Sequence, residues 1–139
     1  MFSSTGVIRY DPPRPGMKHK TKGWAIVSVS KEITRYYRYW VNKETNPLKY
    51  EKKDLFEPAW NAHISIVRGE KIDASKMHLW KKYDKQRVEF EYSNNVYQPK
   101  PGFFVVDVFC PMIDNVRNEL GLKTFYEYHL TIGRSYQDG

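Results

Sequence analysis

Ala62-His63-Ile64-Ser65-Ile66 has a counterpart late in the chain, Tyr128-His129-Leu130-Thr131-Ile132. In an extended backbone, successive side chains point to opposite faces. Each stretch therefore puts a histidine and a hydroxyl on one strand face and apolar residues on the other. Together they supply two acid/base groups with two donors suited to phosphate oxygens beside them. His19-Lys20-Thr21 also fits the spacing, but Lys18, Lys20 and Lys22 leave it no apolar face to bury.

The same order of elements leads into each motif. Trp24 to Val29 is an apolar run of strand length. Ile33, Tyr36, Tyr37, Trp40 and Val41 then recur at the spacing of one helix face, with Asn46-Pro47 as a stop. The first motif lies in the apolar run from Ala59 to Val67. Phe103 to Cys110 is a second apolar strand, and Pro111 opens a helix marked by Ile113, Val116, Arg117 and Leu120. Gly121 sits where that helix ends, and Thr124 to Ile132 is the last strand. Between the halves, Met77, Leu79, Trp80 and Tyr83 suggest a short helix and Arg87 to Tyr92 alternates as a half-buried strand does. Asn94-Asn95 reads as a turn and Gln98 to Gly102 as a Pro/Gly loop. His78 has no hydroxyl partner and reads as an ordinary helix residue.

Strand, helix and motif strand thus occur twice, over residues 24–68 and 103–134. This divergent repeat predicts an α+β fold within a single domain, residues 1–139. Two pseudo-symmetric strand-helix-strand lobes with antiparallel sheets would bring the histidine strands to a central cleft. Residues 1–23 read as an N-terminal basic arm, because Asp11 to Gly23 holds three prolines and four basic or imidazole side chains between Lys18 and Lys22.

Composition narrows the function. The chain has 139 residues, of which 40% are hydrophobic and 16% aromatic, enough for a real core. A formal net charge of +7 suits an anionic partner. Cys110 is the only cysteine, which excludes an internal disulfide. The sequence has no long apolar segment, so the expected setting is cytoplasmic and away from the membrane. Neither zinc-ligand spacing, a P-loop, a dinucleotide-binding glycine motif nor a nucleophile elbow is present. No metal or cofactor is expected.

The paired His-x-Ser and His-x-Thr, each closing a strand-helix-strand unit, resembles the two-histidine (2H) phosphoesterase superfamily over roughly residues 24–134. The resemblance implies metal-independent chemistry at a ribonucleotide phosphodiester. His63 and His129 would be acid and base, and Ser65 and Thr131 would bind phosphate oxygens. Serine in place of the commoner threonine at Ser65 retains the oxygen donor. The text around Arg35-Tyr36-Tyr37-Arg38-Tyr39-Trp40, Pro58-Ala59-Trp60-Asn61-Ala62-His63 and His129-Leu130-Thr131-Ile132-Gly133-Arg134 looks like the small phage anti-CBASS phosphodiesterases. That likeness implies hydrolysis of cyclic di- and trinucleotide messengers in the host cytoplasm, countering bacterial defence.

Imidazole suits this chemistry because its ordinary pKa, about 6.5, makes both protonation states available near neutrality. Attack by a ribose 2′-hydroxyl would leave a linear nucleotide ending in a 2′,3′-cyclic phosphate, or a 2′-phosphate after hydrolysis. Arg68 and Arg134, just past the motif strands, are candidate phosphate contacts. Tyr10 and the Lys18 to Lys22 loop, Lys20 included, are the expected mobile cover, a ring to stack a base and lysines to neutralise phosphate. Trp60, Tyr36, Tyr37 and Trp40 are expected in packing. Two other functions fit the same residues: opening of a 2′,3′-cyclic phosphate on RNA ends, and non-catalytic binding of single-stranded RNA.

Overall fold

Alternating burial sets the strands of the computed structural model, which describes residues 1–12, 22–45, 62–124 and 127–134. Gly6, Ile8 and Tyr10 turn inward on β1 (Phe2–Tyr10), while β2 (Trp24–Ser28) buries Ala25, Ile26 and Val27 in succession. Helix α1 (Lys31–Thr45) follows, then β3 (His63–Arg68), a 3₁₀ turn at Ala74–Leu79, and β4 (Arg87–Tyr92). β5 (Tyr97–Lys100), β6 (Phe103–Phe109), α2 (Pro111–Glu119) and β7 (Tyr128–Arg134) complete the order. Pro111 starts α2, and Gly121 takes the left-handed backbone (φ +74°) just after it.

The strands neighbour one another as β4-β1-β2-β3-β7-β6-β5, all antiparallel, and β4 also pairs with β6 through Glu91↔Phe109 and Tyr92↔Val108. Six strands thereby close into a barrel, and β5 hangs on β6 outside the ring. Closure leaves the six strands no open edge. Ile8, Val27, Ile64, Val88, Phe90, Val106, Leu130 and Ile132 form a single buried cluster with Tyr37 and Val41 of α1, Ile113 and Val116 of α2 and Leu120 just after it. Each such aliphatic or aromatic side chain contributes about 1.5–3 kcal/mol of transfer free energy.

This architecture corrects the two-lobe α+β expectation. The motif strands do not face each other from separate sheets; β3 and β7 pair directly, and twist curls their common sheet into one closed barrel around one core. Three local expectations change with it. Phe2–Tyr10 is a barrel strand between β4 and β2, not part of an arm. Tyr97–Lys100 is a strand, which tolerates Pro99 because it lies at the outer edge. On α1 the buried residues are Thr34, Tyr37, Arg38 and Val41, while Tyr36 and Trp40 are 59% and 41% exposed. Among the described residues no helix is long and apolar enough to cross a membrane.

Candidate active site

Ile64 of β3 lies opposite Leu130 of β7. These residues hold the same place in the two motifs, each directly after its histidine. Equivalent residues facing each other in an antiparallel pair define a local twofold axis between them. Carrying that register one residue each way sets His63 across from Thr131 and Ser65 across from His129. All four are half-buried on the outer face of the barrel, with Ile64, Ile66, Leu130 and Ile132 buried on the other. Directly opposed side chains on such a pair have Cβ atoms about 5 Å apart and diagonal ones about 7–8 Å. Each histidine thus neighbours the other motif's hydroxyl, and the two histidines stand on a diagonal.

The flanking strands extend these rows. On one side Asp107 of β6 faces His129, and on the other Ser28 of β2 faces His63. Ile26 pairs with Ser65 and Val105 with Thr131, and both apolar residues are at most 4% exposed. The register also slips at matching points. Ile66 is passed over between Ser65↔Ile26 and Val67↔Ala25, and Ile132 between Thr131↔Val105 and Gly133↔Phe104. Each motif therefore carries a bulge one residue after its hydroxyl.

His129 sits in a cluster of polar groups. Tyr97 donates its hydroxyl hydrogen to Asp107 Oδ1 at 2.5 Å, and its oxygen lies 2.9 Å from His129 Nε2. A phenol has one hydrogen, so with that hydrogen on Asp107 the imidazole must donate, and Nε2 carries a proton in this arrangement. Burial, then the bond to Asp107, holds the Tyr97 phenol above its usual range, which keeps it a donor. Asp107 Oδ1 and Glu127 Oε2 also lie 3.5 and 3.7 Å from Nε2, within ion-pair reach of a charged ring.

Beyond the pairing of Ile64 with Leu130, α2 stands where β3 ends and β7 begins. A cleft of about 470 Å³ there is lined by Ser65, Arg68, Glu70, Arg117, Glu127 and His129, among others. Arg117, 1% exposed, donates to the Ile66 carbonyl at 2.7 Å and forks onto both carboxylate oxygens of Glu70 at 2.7 Å each. Those bonds hold the Glu70 carboxyl below its ordinary pKa despite its partial burial. Arg68 is exposed at the rim of this cleft, close enough to Glu70 to help lower its pKa.

The predicted residues thus separate. His63, Ser65, His129 and Thr131 share one face, and Arg68 joins Ser65 and His129 at the cleft. Arg134 lies at the opposite end of β7, paired with Phe103. Tyr10 is corrected from a mobile cover to a core residue: it is 7% exposed and packs edge-on against Trp80 at 4.9 Å. Lys20, Trp60 and the Asn46-Pro47 stop lie outside the described residues.

Asp107, Glu127 and His129 offer ligand atoms all within 4.8 Å of one another, the arrangement among the described residues that a cation would fit. Sequence reading missed Asp107 and Tyr97, although Asp107 is the one charged residue in the run Phe103 to Cys110. It also missed Arg38, which is 8% exposed and donates to the Ile132 carbonyl at 2.9 Å. Comparison of the chain with protein-family models, curated proteins and solved structures gives no match.

Proposed function

We propose that this chain is a phosphodiesterase that cleaves ribonucleotide 3′–5′ bonds without a metal, with cyclic di- and trinucleotides as its substrates. The observation that carries the reading is the local twofold relating His63 and Ser65 to His129 and Thr131. In-line attack by a 2′-hydroxyl gives phosphorus two apical oxygens, attacking and leaving, and two equatorial nonbridging oxygens. Each pair is related by a twofold axis through phosphorus. Two imidazoles on one diagonal and two hydroxyls on the other match that arrangement. The support is this constellation together with the +7 net charge, and not the barrel fold.

The groups around His129 suggest the division of labour. His63 removes the 2′-hydroxyl proton, and the 2′-oxygen forms its bond to phosphorus. His129, its proton held among Tyr97, Asp107 and Glu127, gives a proton to the departing 5′-oxygen as the P–O5′ bond breaks. Ser65 and Thr131 donate to the nonbridging oxygens, where electrostatic stabilisation acts. The product is a linear nucleotide ending in a 2′,3′-cyclic phosphate. No step of this scheme calls on a metal ion.

Product chromatography in excess chelator tests this. The panel is 3′,3′-linked cyclic dinucleotides, cyclic trinucleotides and an RNA oligomer ending in a 2′,3′-cyclic phosphate. Cleavage of the cyclic messengers by wild type and not by His129→Ala is expected. Cleavage of the RNA end alone moves the protein to RNA end processing. Salt-sensitive RNA binding with no cleavage, unchanged in His63→Ala, leaves a binding module and overturns the enzymatic reading.

A further inference from the structure

Resting on this reading of the site, we propose that Arg38 and Arg117 are a matched pair of positioning residues. Each holds the bulge that aims the phosphate-binding hydroxyl of the motif strand in the other half of the chain. Arg38 on α1 sets Thr131 of β7, and Arg117 on α2 sets Ser65 of β3.

A bulge withdraws a residue from the ladder and re-aims the side chain beside it. Its carbonyl, if buried, needs another donor. Here the two bulged residues are Ile66 and Ile132, 2% and 0% exposed, each directly after a hydroxyl. Both carbonyls accept from a buried guanidinium: Arg117 Nη1 to Ile66 O at 2.7 Å and Arg38 Nη1 to Ile132 O at 2.9 Å. The pairing is crossed. Helix α1 leads into β3 along the chain yet bonds to β7; helix α2 leads into β7 yet bonds to β3.

Among the described residues, Arg38, Arg117 and Thr34 are the buried polar side chains. Two of the three thus serve these two carbonyls. Burying a guanidinium is expensive, and at Arg117 the cost is offset by the fork onto Glu70 and by a bond from Nε to the Lys123 carbonyl at 2.6 Å, which also fix the plane of the donor at the bulge. A planar donor fixed at a bulge supplies direction, which a phosphate oxygen requires of Ser65 and Thr131.

Double-variant cycles on turnover of a cyclic dinucleotide test the crossed assignment. The variants are Arg38→Met, Arg38→Lys, Arg117→Met and Arg117→Lys, each combined with Thr131→Val and with Ser65→Ala. A misplaced group of this kind costs about 100-fold in rate. Arg38→Met is expected to lower kcat by about that factor with KM nearly unchanged, and Arg38→Lys to recover part of it. Combining Arg38→Met with Thr131→Val should cost no more than Thr131→Val alone, whereas with Ser65→Ala the factors should multiply. Arg117 should show the reverse preference. If Arg117→Met fails to fold, Arg117→Lys carries its arm of the cycle.

A second readout does not use turnover. Backbone amide shifts should move at Thr131 to Gly133 in Arg38→Lys and at Ser65 to Val67 in Arg117→Lys. An active wild type whose arginine and hydroxyl losses multiply in every combination, or whose partner-bulge amides do not shift when the arginine is changed, overturns the positioning role alone. A wild type inactive on every substrate overturns the functional reading and this inference with it.

Discussion

His63 and His129 are the residues whose loss should cost most. Removing a general acid or base lowers rate by about 10²–10⁴-fold, and His63→Ala and His129→Ala should each fall in that range in single-turnover assays, with folding checked by circular dichroism. Ser65→Ala and Thr131→Val should cost about 10²-fold each, the scale of one lost oxyanion donor. Glu70 answers to stability instead. Its folded pKa is lowered, chiefly by hydrogen bonds from Arg117, so its contribution is present above the unfolded pKa and lost as pH falls through the lower folded value. Denaturant titration across the acid range should show wild type losing stability there, with that limb flatter in Glu70→Gln. At neutral pH the variant should be about 1–2 kcal/mol less stable, a figure kept small because the Glu70 side chain is 33% exposed. The histidines and hydroxyls were legible because alternation marks a strand face. Arg38 and Arg117 were not, because their value lies in carbonyls far along the chain that no local pattern reveals.

Among the elements, β1 makes the sharpest structural prediction. A Cβ on Gly6 would lie 2.5 Å from Val27 Cγ1 and 2.6 Å from the Ser28 carbonyl oxygen, a backbone atom that cannot turn aside. Gly6→Ala must therefore push β1 off β2. Overpacking of this kind costs about 1–3 kcal/mol, and chemical denaturation should place Gly6→Ala in the upper part of that range. Strands β2, β4 and β6 and helix α2 were readable from apolar runs, alternation and Pro111. Strand β5 was hidden, because Tyr97 to Lys100 contains a proline and its strand character comes only from pairing with β6. The buried face of α1 was misplaced because its aromatic residues outnumber the sites available inside, and burial went to Thr34, Tyr37, Arg38 and Val41.

For the whole molecule, closure of the sheet was the property least legible in the sequence. The order strand, helix, strand in each half reads equally well as two lobes or as two segments of one ring. The decision lies in the pairing of β3 with β7, whose partners are far apart along the chain, and in the closing pair of β4 with β6, which no local pattern marks. One core threaded through six strands should unfold in a single transition. Its alkaline limit follows from buried phenols: burial pushes Tyr10 up to about 12, and Tyr97 is raised as well. A phenol with a raised folded pKa contributes stability that is intact below its unfolded value of about 10 and is lost as pH rises through the folded value. Absorbance titration of tyrosinate should show a late-ionising class that coincides with loss of far-ultraviolet circular dichroism, and ionisation of all tyrosines together near pH 10 would contradict it.

The most direct test of the central claim is mass analysis of the products formed from one cyclic dinucleotide in excess chelator by wild type, His63→Ala and His129→Ala. The paired-histidine account predicts a linear product ending in a 2′,3′-cyclic phosphate from wild type and unreacted ring from both variants. Turnover that survives in either histidine variant, or that requires an added divalent cation, would contradict it.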